Sequence, residues 1–282
     1  MNKNFTDKVY WVSSYPKSGN TWVRFLLINL LYGKQETSKY IDSLIPDVSS
    51  SSDLESLQKF ISAANLKFMK SHLLLNDSHP CLDKTFASIY IIRNPIDVML
   101  SNWNYFLLTA QDIEPSMLSE HSTELDSLFS RYIAHFLENK GFIQWQQLGM
   151  GNLEQNVESW INNNYDFPCL IVKYEDLLAD THLETRKICD FLELDVNETT
   201  INQAIINSSF TEMQKMEVRE MKLNQTSFLN KDAWRRSHQH GIRFMSKGPN
   251  RKGKEMLNLQ QLKRTKEVFL PLMEKLGYTW ED

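Results

Sequence analysis

Val9-Tyr10-Trp11-Val12-Ser13-Ser14-Tyr15-Pro16-Lys17-Ser18-Gly19-Asn20-Thr21-Trp22, followed by the apolar run Val23 to Leu31, reads as strand, turn and helix. Val9 to Val12 is a β-branched and aromatic run bounded by Ser13, Ser14 and Pro16, which is how a buried strand ends. Gly19 permits a backbone shape that a Cβ resists, and Trp22, Phe25, Leu26 and Leu30 recur at helical spacing, so a helix begins near Asn20 or Thr21. The N–H groups of its first turn point back into the loop and make an anion site, to which Lys17 adds a charge and Ser18 and Thr21 add hydroxyls. A phosphate is the anion these groups predict.

Pro, Gly and Ser also occur in such turns for geometry alone, and a lone Lys there is usually solvated. The lysine precedes the glycine, and G-x-x-x-x-G-K-[ST] occurs nowhere in the chain, so this is not a Walker A loop. The octet Tyr15 to Trp22 instead resembles the 5′-phosphosulfate loop of the cytosolic-type sulfotransferases that use 3′-phosphoadenosine 5′-phosphosulfate (PAPS), commonly YPKSGTTW, with Asn20 in place of the first threonine. The resemblance implies that Lys17, Ser18, Gly19, Asn20, Thr21 and Trp22 contact the donor, with Lys17 also neutralising the leaving phosphate.

Further along, Leu66 to Lys70 reads as a short strand with His72 just beyond it, and in parallel α/β sheets the carboxyl ends of strands face the ligand crevice. A single His is more often structural than catalytic. Lys70-Ser71-His72-Leu73 resembles the family's K-[TS]-H-L segment, which makes His72 the base for the acceptor proton and Lys70 a stabiliser of the transferring group. Ala87 to Ile92 is a third strand, followed at once by Arg93-Asn94-Pro95, where proline suits a first helical turn. Arg93 and Ser101, two turns apart, are able to grip one anion through paired guanidinium donors and a hydroxyl; the alternative is that Arg93 pairs locally with Asp97. Arg93 to Ser101 resembles R-N-P-x-D-x-x-x-S, the 3′-phosphate motif of the same family.

Three weaker matches follow. Phe167 to Tyr174 reads as a fourth strand, and Tyr174-Glu175-Asp176-Leu177 resembles YEDL, which assigns Tyr174 to the adenine. Ser208-Ser209-Phe210-Thr211-Glu212-Met213 resembles [ST]-S-F-x-x-M, which places Ser208, Phe210 and Met213 at the same base. For the final motif, F-x-R-K-G-x-x-G-D-W-K-x-x-L, two registers compete. The preferred one sets Phe244 to Gly248 on F-x-R-K-G and assigns Ser246, Lys247, Gly248 and, as a substitute guanidinium, Arg251 to the 3′-phosphate; the other uses Arg251-Lys252-Gly253.

The 282 residues carry a net charge of −4, 41% hydrophobic residues and three scattered cysteines, Cys81, Cys169 and Cys189. These describe a folded α/β chain without a disulfide framework, a metal-ligand cluster or the basic footprint of a nucleic-acid binder. Between Lys231 and Lys254, however, eight basic residues stand against Asp232 alone, which suits either a compact polyanion or a solvated basic loop. With no signal peptide or membrane anchor apparent, we expect a cytoplasmic protein that binds no membrane and no metal.

Four strands, each followed by helical sequence, predict a single domain over 1–282: a mostly parallel sheet flanked by helices, with a P-loop-like turn after the first strand. Lys34 to Asn65 reads as a surface loop leading into a helix capped by Asp53. The aromatic residues between Asn102 and Gly151 are core, or in the case of Trp103, Tyr105 and Phe106 the wall of an acceptor pocket. The resemblance implies transfer of the sulfuryl group of PAPS to a hydroxyl or amino group of a small molecule, releasing adenosine 3′,5′-bisphosphate (PAP). In overall impression, rather than in any motif quoted, the chain is also similar to bacterial enzymes that tailor natural products, including those acting on guanidinium alkaloids such as saxitoxin. The rival readings are a nucleoside or small-molecule kinase and a non-catalytic nucleotide-binding protein. The family's dimerisation pattern is not evident near Lys263 to Glu274, which leaves the oligomeric state open.

Overall fold

In the computed structural model, which describes residues 8–49, 67–110, 122–223, 231–245 and 253–281, four strands carry the fold. They are β1 (Val9–Ser14), β2 (Lys67–Ser71), β3 (Thr85–Ile92) and β4 (Cys169–Lys173), all parallel and ordered β2-β1-β3-β4. In chain order the helices are α1 (Asn20–Tyr32), α2 (Lys39–Leu44), α3 (Pro95–Thr109), α4 (Thr123–Glu138), α5 (Ile143–Gln147), α6 (Leu153–Ile161), α7 (Tyr174–Ala179), α8 (Thr181–Phe191), α9 (Glu198–Asn207), α10 (Phe210–Lys222), α11 (Lys231–His240) and α12 (Leu259–Lys275).

The described chain falls into two compact units. The first comprises Met1–Gln35, Tyr40–Arg93 and Gln147–Ser209 and contains the whole sheet; the second comprises Glu36–Lys39, Asn94–Gln146 and Phe210–Asp282.

In the first unit β1 lies inside the sheet, and all six of its residues are buried, as expected for a parallel strand covered on both faces. Helix α1 is apolar around most of its circumference. Val23, Phe25, Leu26, Leu27, Ile28 and Leu30 are all buried, and α9 packs against it. Each such side chain contributes roughly 1.5–3 kcal/mol of burial, which fixes the helix, and hence the turn before it, firmly to the sheet. The strand order also locates the crevice. From β1 the chain moves to one side of the sheet to make β2, and from β3 it moves to the other side to make β4. The carboxyl ends of β1 and β3 therefore flank a topological switch point, where open parallel sheets bind ligands.

In the second unit α3 begins with Pro95 in its first turn, as the sequence predicts, and the structure adds Asn94 as N-cap, accepting from Ile96 N–H at 3.0 Å. Of the aromatic residues after Ser101, Trp103 is buried in the core, whereas Tyr105 and Phe106 are half-buried. Trp103 is 7% exposed and packs on Phe106, Phe129 and Tyr132 at centroid distances of 5.6, 5.2 and 5.1 Å, and Tyr105 meets Trp145 at 6.0 Å. The loop expected from Lys34 onward differs in part: Lys39–Leu44 is helical, and Asp47 bridges to β2. Asp53, the expected cap of the next helix, lies outside the described residues.

Candidate active site

The turn from Tyr15 to Gly19 leaves β1 at the switch point. Ser18 N–H closes it on the Tyr15 carbonyl at 3.3 Å, and two of its residues take left-handed backbone: Gly19 at φ 106° and, without the freedom of glycine, Lys17 at φ 72°. A non-glycine residue in that region costs about 1–2 kcal/mol, the kind of strain that concentrates at binding loops. Gly19 is held by a second requirement, since a Cβ there would meet the Tyr174 ring at 2.5 Å. Helices α3, α4, α6, α8, α9 and α12 each have an Asn, Ser or Asp side chain capping the first turn. Helix α1 has Gly19 at that place, no side-chain cap and no acidic residue in its first turn. Its first turn is therefore not closed by a side chain, as is also true of α7, which Lys173 precedes.

Arg93 ends β3 beside this turn. Its Nη1 donates to the Lys17 carbonyl at 3.1 Å, and the guanidinium lies 4.4 Å from the centre of the Tyr174 ring. Tyr174 also meets Trp22 edge-on at 5.6 Å. The first unit thus gathers Lys17, Ser18, Gly19, Thr21, Trp22, Arg93 and Tyr174 around one turn. Asn20 takes a different attitude: its side chain points inward, donating to the Val12 carbonyl at 2.9 Å and towards Ser14 Oγ at 3.3 Å, and so ties the helix start to β1. Ser208 is buried, and its hydroxyl donates to the Ala204 carbonyl at 2.7 Å. Ser101 on α3 and Phe210 and Met213 on α10 belong to the second unit. Ser246, Lys247, Gly248 and Arg251 lie outside the described residues, as does Lys252 of the competing register.

His72 follows β2, the strand on the other side of β1. Its Nδ1 lies 2.6 Å from the Ser14 carbonyl oxygen, which only accepts, so Nδ1 carries the proton and Nε2 of the neutral ring holds a lone pair. Burial, followed by the charge of Lys70, pushes the His72 pKa down to about 3, against the opposing pull of Asp47 and the Ser14 carbonyl. Near neutral pH the ring is therefore uncharged and able to accept a proton. Lys70 has its Nζ 2.5 Å from Asp47 Oδ2.

The main chain at His72 is held on both sides. Its N–H donates to Ser49 Oγ at 2.6 Å, and Asn156 Nδ2 donates to its carbonyl at 2.8 Å and to that of Met150 at 2.7 Å. Tyr90 OH donates to Asn156 Oδ1 at 2.7 Å, and Trp160 Nε1 to the Leu73 carbonyl at 3.0 Å. Behind the strand end, His79 sits edge-on between Trp11 and Trp160 with its Nε2 2.9 Å from Ser71 Oγ. Asp47, Ser49, Asn156 and His79 belong to none of the sequence motifs, yet they surround His72 and its strand. For Asn156 there was a signal, an amide on the buried stripe Leu153, Asn156, Val157 and Trp160 of an amphipathic helix.

Among the described residues, no helix is long and apolar enough to cross a membrane, and no group of three or more His, Cys, Asp or Glu is placed to hold a metal ion. Residues 7–277 match the model of the sulfotransferase domain family. Bovine (Bos taurus) sulfotransferase 1A1 is 25% identical over 285 residues, covering 96% of this chain and 85% of that protein. The rat (Rattus norvegicus) sulfotransferase 1A1 match is shorter, 26% over 202 residues, and spans 67% of this chain and 61% of the relative. The crystal structure of mouse sulfotransferase SULT7A1 complexed with PAP superposes with a TM-score of 0.64 at 19% identity, covering 95% of this chain and 84% of that one, a likeness of fold.

Proposed function

This chain belongs to the sulfotransferase domain family, and on that premise we propose that it works as a PAPS-dependent sulfotransferase acting on a hydroxyl or amino group of a small molecule. The observation that carries this reading is the pairing of an uncapped helix start behind a strained turn with a neutral histidine whose Nδ1–H donates to the Ser14 carbonyl, leaving Nε2 as the acceptor. When bound, PAPS supplies the sulfuryl group: a bond from sulfur to the acceptor forms as the bond from sulfur to the 5′-phosphate oxygen breaks, leaving PAP.

His72 Nε2 receives the acceptor's proton as that bond forms, and the Ser14 carbonyl stabilises the imidazolium through Nδ1–H. Lys17, with the first-turn N–H groups of α1, neutralises charge on the leaving phosphate oxygen, and Lys70 faces the transferring sulfonate. Arg93 and Ser101 hold the 3′-phosphate, with Ser246, Lys247, Gly248 and Arg251 assigned to the same group by their motif. Tyr174, Ser208, Phe210 and Met213 are assigned to the adenine by their motifs, and Trp22 to the phosphosulfate turn. For Ser208 the burial of its hydroxyl leaves shape rather than hydrogen bonding as its contribution.

We take residues 1–282 as one sulfotransferase domain, since the family match runs over stretches of both compact units. The natural-product reading of the acceptor, including a guanidinium alkaloid, is supported by the overall sequence impression alone, so the acceptor panel should span phenols, alcohols, amines and guanidinium compounds. The deciding experiment is calorimetric titration with PAP beside AMP and ATP without magnesium, followed by turnover with PAPS. We expect PAP to bind tightest, Arg93→Ala to remove most of the preference for PAP over AMP, and His72→Ala to abolish turnover while PAP affinity stays within a few-fold. Equal affinity for PAP and AMP would refute the phosphate assignments, and a His72→Ala enzyme near the normal rate would remove His72 as base.

A further inference from the structure

Between α2 and β2 the chain runs Pro46-Asp47-Val48-Ser49 alongside the strand that carries Lys70 and leads into His72. Asp47 forms a parallel bridge with Lys70, in which Lys70 N–H donates to the Pro46 carbonyl at 2.8 Å and Val48 N–H to the Lys70 carbonyl at 3.0 Å. The Asp47 carboxylate has two tasks. Oδ2 receives the Lys70 ammonium at 2.5 Å, and Oδ1 accepts the Ser49 N–H at 2.9 Å. Ser49 Oγ in turn accepts the His72 N–H at 2.6 Å. The side chains of Lys70 and Asp47 are only 14% and 16% exposed, so water does little to screen this pair.

We infer that Asp47 is a positioning residue for the transfer step: its carboxylate keeps the Lys70 ammonium charged and fixed near His72 and, through Ser49, sets the main chain from which His72 projects. This rests on the sulfuryl-transfer reading above. Lys70 lies near the end of β2 and His72 just beyond it, near enough that the Lys70 charge acts on the His72 ring. A positive charge held there is useful beside a transferring anion, and it also discourages His72 from taking a proton before the acceptor offers one.

The groups facing Lys70 show why a carboxylate is needed. They are Arg24 from α1, Asp42 from α2, Asp47 from the bridge and His72 from the strand end. Burial is the largest influence on Lys70 and pushes its pKa down, and Arg24 acts in the same direction. Asp47 is the chief opposing charge. Asp42 contributes less, and its Oδ1 is paired with Arg24 Nη2 at 2.6 Å. Burial likewise pushes Asp47 up, but Lys70, His72 and Arg24 together hold its carboxyl well below the ordinary range. Without Asp47, Lys70 is a buried amine beside a guanidinium, and the neutral form wins.

The test uses the full chain with lysine labelled at the ε-carbon, the Lys70 resonance being assigned by its loss in Lys70→Arg. Asp47→Asn is nearly isosteric and keeps an oxygen for the Ser49 N–H. We expect it to move the titration of Lys70 to lower pH. The turnover number with PAPS should then fall about tenfold per pH unit above that midpoint, a limb absent from the wild type, with PAP affinity unchanged within about threefold. In Lys70→Arg, whose guanidinium does not deprotonate, adding Asp47→Asn should create no such limb. Reciprocally, Lys70→Gln should raise the pH at which the Asp47 carboxyl titrates, which reads the same pair even if Asp47→Asn does not fold. Unchanged titration of Lys70 in Asp47→Asn, or of Asp47 in Lys70→Gln, would overturn the inference. A wild type that titrates as expected but transfers nothing from PAPS would instead refute the reading of the site.

Discussion

Gly19→Ala tests whether the turn, the Tyr174 ring and Arg93 act as one piece. The new Cβ would lie 2.5 Å from Tyr174 Cδ2 and 3.0 Å from Cε2. Restoring an ordinary carbon contact of about 3.5 Å requires the ring to retreat by about 1 Å. That ring faces the Arg93 guanidinium at 4.4 Å and Trp22 at 5.6 Å, so it cannot move alone. Overpacking of this kind costs about 1–3 kcal/mol, and an alanine at φ 106° adds about 1–2 kcal/mol of backbone strain, together about 2–5 kcal/mol. For 282 residues unfolding cooperatively, an unfolding entropy of about 2.1 cal/mol/K per residue turns this into a Tm about 3–8 °C lower. Scanning calorimetry measures the Tm, and titration with PAP should show a loss of at least tenfold. The control is the same substitution in Tyr174→Ala, where no ring has to move and only the strain of about 1–2 kcal/mol should remain. A Gly19→Ala protein within 1 °C of the wild type (~0.6 kcal/mol), or an equal decrement in both backgrounds, would refute the coupling.

Other expectations concern the support behind His72. Asn156→Ala removes the donor to the His72 and Met150 carbonyls and the acceptor of the Tyr90 hydroxyl; at about 1–3 kcal/mol for each of the three groups left unsatisfied, denaturant unfolding should show a loss of about 3–9 kcal/mol. The turnover number should fall at least tenfold with PAP affinity nearly unchanged; an equal loss of both would make Asn156 merely structural. His79 bears on pH. Burial pushes its pKa down to about 4, so between about pH 4 and 6.5 the unfolded chain binds a proton that the folded chain does not. Its stability contribution is therefore complete above about pH 6.5 and lost as pH falls below it, reaching about 2 kcal/mol at pH 5. His79→Gln should be less stable at pH 7.5 yet lose about 2 kcal/mol less than wild type on going to pH 5; parallel losses would contradict this.

What the sequence disclosed and what it hid follow from the range of the interactions. The β-branched run of β1, the start of α1 at Asn20 and the place of Pro95 in the first turn of α3 depend on neighbours within a few residues, and local spacing reports them faithfully. The clamp on His72 depends on Asn156, 84 residues away, and on Tyr90, 66 residues from that amide, and no spacing rule connects them. Asn20 stands among hydroxyl and ammonium groups in the sequence, yet its amide satisfies the Val12 carbonyl, because the polar backbone at the end of a buried strand needs a partner. Asp47 sat in what reads as a polar loop. Only its bridge to Lys70 and the ion pair between them bring its charge beside β2.

The contact between Gly19 and Tyr174 also bears on how the protein is made. The first unit takes its sheet and covering helices from three separate stretches of chain, and β4 adds to β3 only after the intervening residues have been synthesised. At about 5–20 residues per second, the ribosome delivers Tyr174 roughly 8–30 s after Gly19. Late in that interval β1, β2 and β3 have been synthesised, but the edge of β3 is unpaired and the Tyr174 ring is not yet beside the turn, which exposes the chain to wrong partners. A nascent chain stalled before β4 should therefore remain protease-sensitive around β3 and unable to retain PAP, and retention should begin only when the fourth strand has emerged.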